Sequence, residues 1–419
     1  MASIRGRSSA GSVSLGSVRD SGRAAGGTAR RAASRAGRIG LLAALVVVLG
    51  ACGRAVVVPP TTTSGPGSAP GTLTGSASYK AFAKPGPYLA GTASFTVGGD
   101  RVVIWYPAAP DRKLTPADRY VYHLRAWLPS VVVHLVPKNL ADTVVEDAYA
   151  GIPAAKGSFP VVLFSHGYGG YPEQSSFLTA HLATWGMIVV APDQTTRDLS
   201  AVTLGTKHTF AVVARTDIAQ QLAALRFVEQ LSSTSKSLLA GRVDAAEVGT
   251  LGHSAGGYTA ITTAEADPAI KVAVALAGVP TTPPARRFPI LLVSGSADKV
   301  VPTSEVRAFY GKLRAPKAFV VIDRTGHNVF DDVCTIAHSK GGVVAAARAL
   351  RLPIPASLLS LATDGCKPPD IYPPTAWPLI DQVVTAELRF GFGVDTSPIG
   401  LGSGIDAAFH GVRASYQAA

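Results

Sequence analysis

Hydrophobic and polar positions along this chain fall into two repeating patterns. Tyr88 to Val97 and Arg101 to Tyr106, separated by Gly98-Gly99-Asp100, predict an antiparallel hairpin. Further on, apolar runs around Val161, Ile188, Val248, Val272, Leu291 and Phe319 have the continuous β-branched character of strands buried on both faces. Helical stretches separate them. One of these carries Ile218, Leu222, Leu225 and Val228 on a single face, with a predicted cap near Thr216, the pattern of a helix packed on a sheet. Regular alternation of this kind predicts an α/β fold with a mostly parallel, doubly wound sheet behind an N-terminal antiparallel hairpin. Two stretches fall outside that minimal pattern, Asp111 to Ala155 and Phe330 to Gly400, and are expected as helical insertions beside the site.

The N-terminal part reads differently. Ile39 to Ala51 is an apolar run of 13 residues behind an arginine-rich stretch, too short to span a bilayer and suited to a signal-peptide core. It closes on Leu49-Gly50-Ala51-Cys52, which resembles the bacterial lipobox, so Cys52 is the expected lipidation site; an ordinary secretory signal is the alternative. Residues 1–51 are therefore expected to be removed. Residues 52–79 are rich in Pro, Gly, Ser and Thr and predict a flexible tether, with the folded domain over 80–415. The expected location is the extracytoplasmic face of the cell membrane.

Charge changes meaning after that processing. Of the formal +12, residues 1–51 carry eight arginines and one aspartate, a net +7, which leaves +5 on the remainder. No arginine-rich cluster with interleaved aromatics is present there, so a nucleic-acid partner is not indicated.

The chemistry concentrates at predicted strand ends. Gly252-His253-Ser254-Ala255-Gly256 is a G-x-S-x-G pentapeptide between a strand and a small-residue helix, the context of the nucleophile elbow of an α/β-hydrolase, with Ser254 as candidate nucleophile. The partners should follow in the order acid, then histidine. The loop Gly295-Ser296-Ala297-Asp298 leaves one strand and Asp323-Arg324-Thr325-Gly326-His327 leaves the next, which nominates Asp298 and His327. Asp323 and Asp331 are the rival acids; His181, His208 and His338 have no strand end before them, and His253 lies inside the elbow, where packing is expected. An earlier strand runs into Ser165-His166-Gly167-Tyr168-Gly169-Gly170, so the backbone N–H groups of Tyr168 and Ala255 are the candidate oxyanion donors. The Tyr168 ring, Trp127, Tyr171 and Trp377 are candidate pocket walls.

Phe164 to Asp193, together with Gly252 to Gly257 and Ser294 to Asp298, resembles the dienelactone-hydrolase-like branch of α/β-hydrolases, in particular the cutinase-like polyester hydrolases, the chlorophyllase type and the bacterial platelet-activating-factor acetylhydrolase-like enzymes. The resemblance covers roughly Tyr88 to Asp332. It implies a serine esterase without metal or cofactor; the expected substrate is a small-molecule or lipid-like ester, and membrane contact is expected through the lipid anchor. The cutinase-like enzymes are similar to one another in a tryptophan after the strand that follows the nucleophile helix; here that stretch is Ala277-Gly278-Val279-Pro280-Thr281-Thr282. Polyester cleavage, acyl transfer to an alcohol on the same triad, and a non-catalytic wall-binding lipoprotein stand as alternatives.

With Cys52 lipidated, Cys334 and Cys366 remain. In an exported chain they are expected to form a disulfide, two buried thiols being the alternative. Oligomeric state is not legible.

Overall fold

The structure, a computed structural model, describes residues 56–57, 79–134, 142–337 and 356–419. The expected signal segment, Cys52, most of the expected tether and His338 lie outside the described residues.

A single sheet organises the described residues. Its strands are β1 (Val56–Val57), β2 (Leu89–Val97), β3 (Asp100–Ala108), β4 (Arg119–His123), β5 (Thr143–Ala150), β6 (Phe159–Ser165), β7 (Ile188–Pro192), β8 (Val243–His253), β9 (Ile270–Leu276), β10 (Ile290–Gly295), β11 (Lys317–Ile322) and β12 (Ala414–Ala418). They lie in the order β1-β5-β2-β3-β7-β6-β8-β9-β10-β11-β12, with β4 paired to β5. From β7 through β11 every pairing is parallel, whereas β2 with β3, β3 with β7 and β11 with β12 are antiparallel. This is the mostly parallel α/β-hydrolase architecture.

Strict alternation along the central strands sends side chains to two cores. In β6, Val162 and Phe164 pack on one face with Leu178, Ile380 and Val384, while Val161 and Leu163 pack on the other with Leu225, Val228 and Ile261. The first face is covered by α2 (Ser176–Thr184) and the late helix Pro373–Gly391; the second by α4 (Phe210–Ser233), α5 (Ala255–Ala266) and α6 (Thr303–Lys312). Each such fully buried aliphatic or aromatic side chain stabilises the fold by about 1.5–3 kcal/mol relative to exposure. Because β6 has β7 on one side and β8 on the other, the chain reverses winding direction at β6. A crevice opens there at the carboxyl ends of the strands.

The structure departs from the sequence reading in four places. The stretch Asp111 to Ala155 is not simply a helical insertion: it supplies β4 and β5 to the sheet, with only the short α1 (Ser130–Val133) between them. The half-buried alternation of β5 contains Glu146, whose buried carboxylate accepts the Trp105 indole N–H at 2.8 Å; that partner lies 41 residues away. Val56 and Val57, inside the expected tether, form a short parallel strand with β5, as paired β-branched residues favour. The long helix begins at Phe210 with Thr209 as its cap, its side chain taking the Val212 N–H, rather than near Thr216. Its first turn projects Phe210 into solvent at 68% exposure, so the apolar stripe starts later than the helix. Finally, β12 carries the sheet past the expected boundary at 415, to Ala418.

Candidate active site

Four loops leave the carboxyl ends of β6, β8, β10 and β11 and meet at the crevice. Ser254 stands at the junction of β8 and α5 with φ 58° and ψ −121°, a left-handed conformation that a non-glycine residue holds only when its surroundings impose it. Here close backbone contacts impose it. A Cβ at Gly256 would lie 1.9 Å from the Ser165 carbonyl oxygen, and one at Gly252 would lie 2.0 Å from the Gly256 oxygen. Neither site admits a side chain, which lets the turn press against β6.

The structure brings Ser254, His327 and Asp298 together. His327 Nε2 is 2.9 Å from Ser254 Oγ, and His327 Nδ1 is 2.9 Å from Asp298 Oδ2. The other carboxylate oxygen of Asp298 accepts the N–H groups of Val300 and Val301 at 2.8 Å each. A carboxylate so held accepts the Nδ1–H hydrogen bond and keeps the proton on that nitrogen, leaving Nε2 as the acceptor for the serine hydroxyl. His327 and Asp298 are both buried, which strengthens these bonds relative to water. The rival acids go elsewhere: Asp323 accepts the Ser296 hydroxyl at 3.0 Å, and Asp331 lies 3.7 Å from His253.

Tyr168 lines the cleft, and the direction of its backbone N–H has a stereochemical basis. The Gly167 carbonyl is drawn inward by the Arg197 guanidinium at 2.8 Å and by the Gly170 N–H at 3.1 Å. In a trans peptide the following N–H points the opposite way, so the Tyr168 N–H is directed outward. Ala255 is the first residue of α5, and an N–H at that position has no acceptor within its own helix. The helix dipole adds partial positive charge there.

Two residues not singled out by sequence reasoning hold these loops in register. Arg197, fully buried, also donates to the His166 carbonyl and to the Ser165 hydroxyl, and pairs with Asp217 of α4 at 2.7 Å. Gln174 accepts the Gly167 N–H at 2.9 Å and donates to His253 Nδ1 at 2.9 Å, while His253 Nε2 donates to the His327 carbonyl at 3.1 Å. This relay links the β6 turn, the elbow and the histidine loop. Burial pushes the His253 imidazole well below its ordinary pKa and the His166 imidazole down to about 3, so both are neutral at physiological pH. No local pattern marks Gln174 or Arg197, which stand among polar neighbours in Glu173-Gln174-Ser175-Ser176 and Gln194-Thr195-Thr196-Arg197-Asp198.

The cleft walls are Leu124, Tyr171, Leu199, Val202, Val333 and Leu361, with Tyr168 at the rim. Asp331 also lines it, its carboxyl raised well above the usual range by burial. Trp127 and Trp377 are not walls. Trp127 stacks behind Tyr171 with ring centres 6.2 Å apart, and Trp377 stacks on Phe177 at 4.3 Å and donates its indole N–H to the Val329 carbonyl. Cys334 and Cys366 are joined as a disulfide with Cα atoms 5.0 Å apart. Among the described residues no group of three His, Cys, Asp or Glu side chains could hold a metal ion, and no helix is long and apolar enough to cross a membrane.

Residues 146–346 match the family model described as PETase, PET hydrolase-like. The chain has the α/β-hydrolase fold, and over that stretch it is similar to the PET hydrolase-like family. The chain is 25% identical to the bis(hydroxyethyl) terephthalate hydrolase of Streptomyces coelicolor over 211 residues, which is 46% of this chain and 61% of that protein. Among solved structures it is similar to the ferulic acid esterase from Streptomyces cinnamoneus, with TM-score 0.53 and 25% identity across 72% of this chain and 89% of the other.

Proposed function

We propose that this α/β-hydrolase cleaves carboxylic esters by two-step acyl transfer. The observation that carries the reading is the unbroken hydrogen-bonded line from Ser254 Oγ through His327 to Asp298, at 2.9 Å for each bond, beside a turn whose outward N–H belongs to Tyr168. Ser254 Oγ attacks the ester carbonyl carbon while His327 Nε2 takes its proton. The carbonyl oxygen becomes an oxyanion between the N–H groups of Tyr168 and Ala255. His327 returns the proton to the leaving alcohol as the C–O bond breaks, and the acyl group stays on Ser254. Water, deprotonated by the same histidine, then attacks the acyl carbon and the acid leaves. Asp298 stabilises the imidazolium in both half-reactions.

The acyl group we propose is aromatic. The relatives are named for a terephthalate ester and for ferulic acid, and the apolar wall of Leu124, Tyr171, Leu199 and Val202 beside Ser254 suits a flat ring. The test is acid release from bis(hydroxyethyl) terephthalate, a feruloyl ester and p-nitrophenyl esters of graded length, with no alcohol added as acceptor. Aromatic esters should be the better substrates by kcat/KM, and a fluorophosphonate should label Ser254. Labelling without acid release would replace hydrolysis with acyl transfer, and failure of both would remove the enzymatic reading.

The domain is further proposed to be exported and held to the membrane by lipid on Cys52. Support comes from Leu49-Gly50-Ala51-Cys52 closing a short apolar run and from the disulfide, which suits an oxidising compartment. Partition of the wild-type protein, but not of Cys52→Ala, into detergent phase is the expected outcome; wild-type protein that is wholly soluble with a free thiol at residue 52 would refute it.

A further inference from the structure

The acid and the base of the candidate site sit on separate loops, and one carboxylate outside the triad touches both. Asp364 lies just past α8 (Ala356–Thr363) and is buried. Its Oδ2 accepts the backbone N–H of His327 at 2.8 Å and that of Lys299, the residue after Asp298, at 3.2 Å. Its own carbonyl accepts the Asn328 N–H at 3.1 Å and the Asn328 side-chain amide at 3.0 Å. The contact is close enough to exclude side chains: a Cβ on Gly326 would fall 2.5 Å from the Gly365 Cα, and Gly365 holds φ +80°. Two residues beyond Asp364, Cys366 is bonded to Cys334, which lies in α7 (Val333–Ala337) directly after the histidine turn.

From this geometry we infer that Asp364 is a positioning residue for the reaction proposed above, clamping the Asp298 and His327 loops at the spacing proton transfer requires. Its effect passes through backbone N–H groups, so it touches neither substrate nor the reacting atoms. A single oxygen serving both loops fixes their separation directly, where two independent anchors would let each loop drift. The requirement is tight, since displacement of about 1 Å at a catalytic group can cost about a hundredfold in rate. A charged acceptor is also a stronger partner for N–H donors than a neutral one.

The inference rests on the ester-hydrolase reading, and the test separates the two. In the full chain, Asp364→Ala and Asp364→Asn are compared with wild type for kcat and KM on a p-nitrophenyl ester, with active sites counted by fluorophosphonate titration and the melting temperature recorded. Asp364→Ala should lower kcat per titrated site by about tenfold or more and leave KM within about twofold, because the groove is intact while the proton path is not. Asp364→Asn keeps an oxygen acceptor and should recover most of the loss. Wild-type kcat per titrated site in Asp364→Ala would overturn the clamp, as would an Asn variant no better than Ala. A wild-type protein that neither hydrolyses nor labels would instead overturn the ester-hydrolase reading. If the alanine variant fails to fold, the asparagine variant still decides: its kcat should lie between wild type and one-tenth of it, and a lower value counts against the clamp.

Discussion

The two halves of the candidate site are built by different means. The nucleophile half, comprising the β6 turn and the β8–α5 elbow, is shaped by backbone packing between adjacent strands: Gly256 presses on Ser165, and the strained Ser254 follows from it. The acid–base half is shaped from a distance. His327 and Asp298 owe their spacing to backbone hydrogen bonds accepted by Asp364, which is 37 residues beyond His327, and to a disulfide that spans 32 residues. Gly252 and Gly256 of the first half can take no added atom; the second half can tolerate change in composition but not loss of its polar ties. A rigid scaffold thus presents the serine and the proposed oxyanion donors, and a separately fastened segment carries the proposed proton acceptor.

Breaking the line of proton transfer should have the largest effect. Ser254→Ala or His327→Ala is expected to lower kcat about a thousandfold or more, read on a p-nitrophenyl ester. Asp298→Asn should be severe while Asp323→Asn is mild, since Asp323 bonds Ser296 rather than the histidine; the reverse order would move the acid to the other residue.

Next comes the scaffold half. Gly256→Ala must place its methyl carbon on the Ser165 carbonyl, so the β6–β8 contact has to open. Loss of about 3 kcal/mol or more of stability is expected by chemical denaturation, with activity lost in the same protein. If Gly256→Ala folds and turns over normally, packing does not impose the elbow.

The fastened half should respond more gently. Cys366→Ser, or reduction of the disulfide, is expected to cost about 2–4 kcal/mol of stability and to lower kcat more than it raises KM. Equal damage to both halves, seen as equal loss of fluorophosphonate labelling and of turnover, would erase the distinction between them.

Smallest is the pH response. Burial raises the Glu173 carboxyl to about 8 and the Asp332 carboxyl to about 7. A carboxyl whose pKa is raised on folding contributes stability that is intact below about pH 4 and is lost as pH climbs toward the folded value. Buried neutral His166 and His181, both lowered to about 3 by burial, act oppositely: their contribution is present above about pH 6.5 and is lost as pH falls toward 3. Melting temperature should therefore be highest between about pH 4 and 6.5 and decline as pH climbs from there toward about 8. Glu173→Gln should flatten the alkaline side, and an unchanged slope would assign that decline to other groups.

Legibility in the sequence follows the same division. The elbow, the glycine-rich turn and the strand-end positions of Asp298 and His327 were readable because the signals lie within a few residues of the side chains concerned. The sheet from β6 to β11 was readable as unbroken apolar runs, and the pairing of Cys334 with Cys366 as the pair left once Cys52 is set aside. Asp364, Gln174 and Arg197 were not, since each acts through partners on other loops and looks locally like any polar residue. The strands β4 and β5 were hidden for a related reason: Glu146 breaks the apolar pattern, and the Trp105 indole that accommodates it comes from another strand.

Arg197 also bears on how the molecule moves. Its guanidinium holds the carbonyls of His166 and Gly167 from below, and its own partner Asp217 is tied in turn to the Thr259 hydroxyl of α5 at 3.0 Å. A turn fastened in this way has no alternative backbone state to give up when charge appears on a substrate oxygen, so little ordering entropy is lost at that moment. The free and the acylated protein should then share one conformation of residues 166–170, and the amides of Gly167, Gly169 and Gly170, already bonded to Gln174, Arg197 and Gly167, should exchange as slowly before an inhibitor binds as after it.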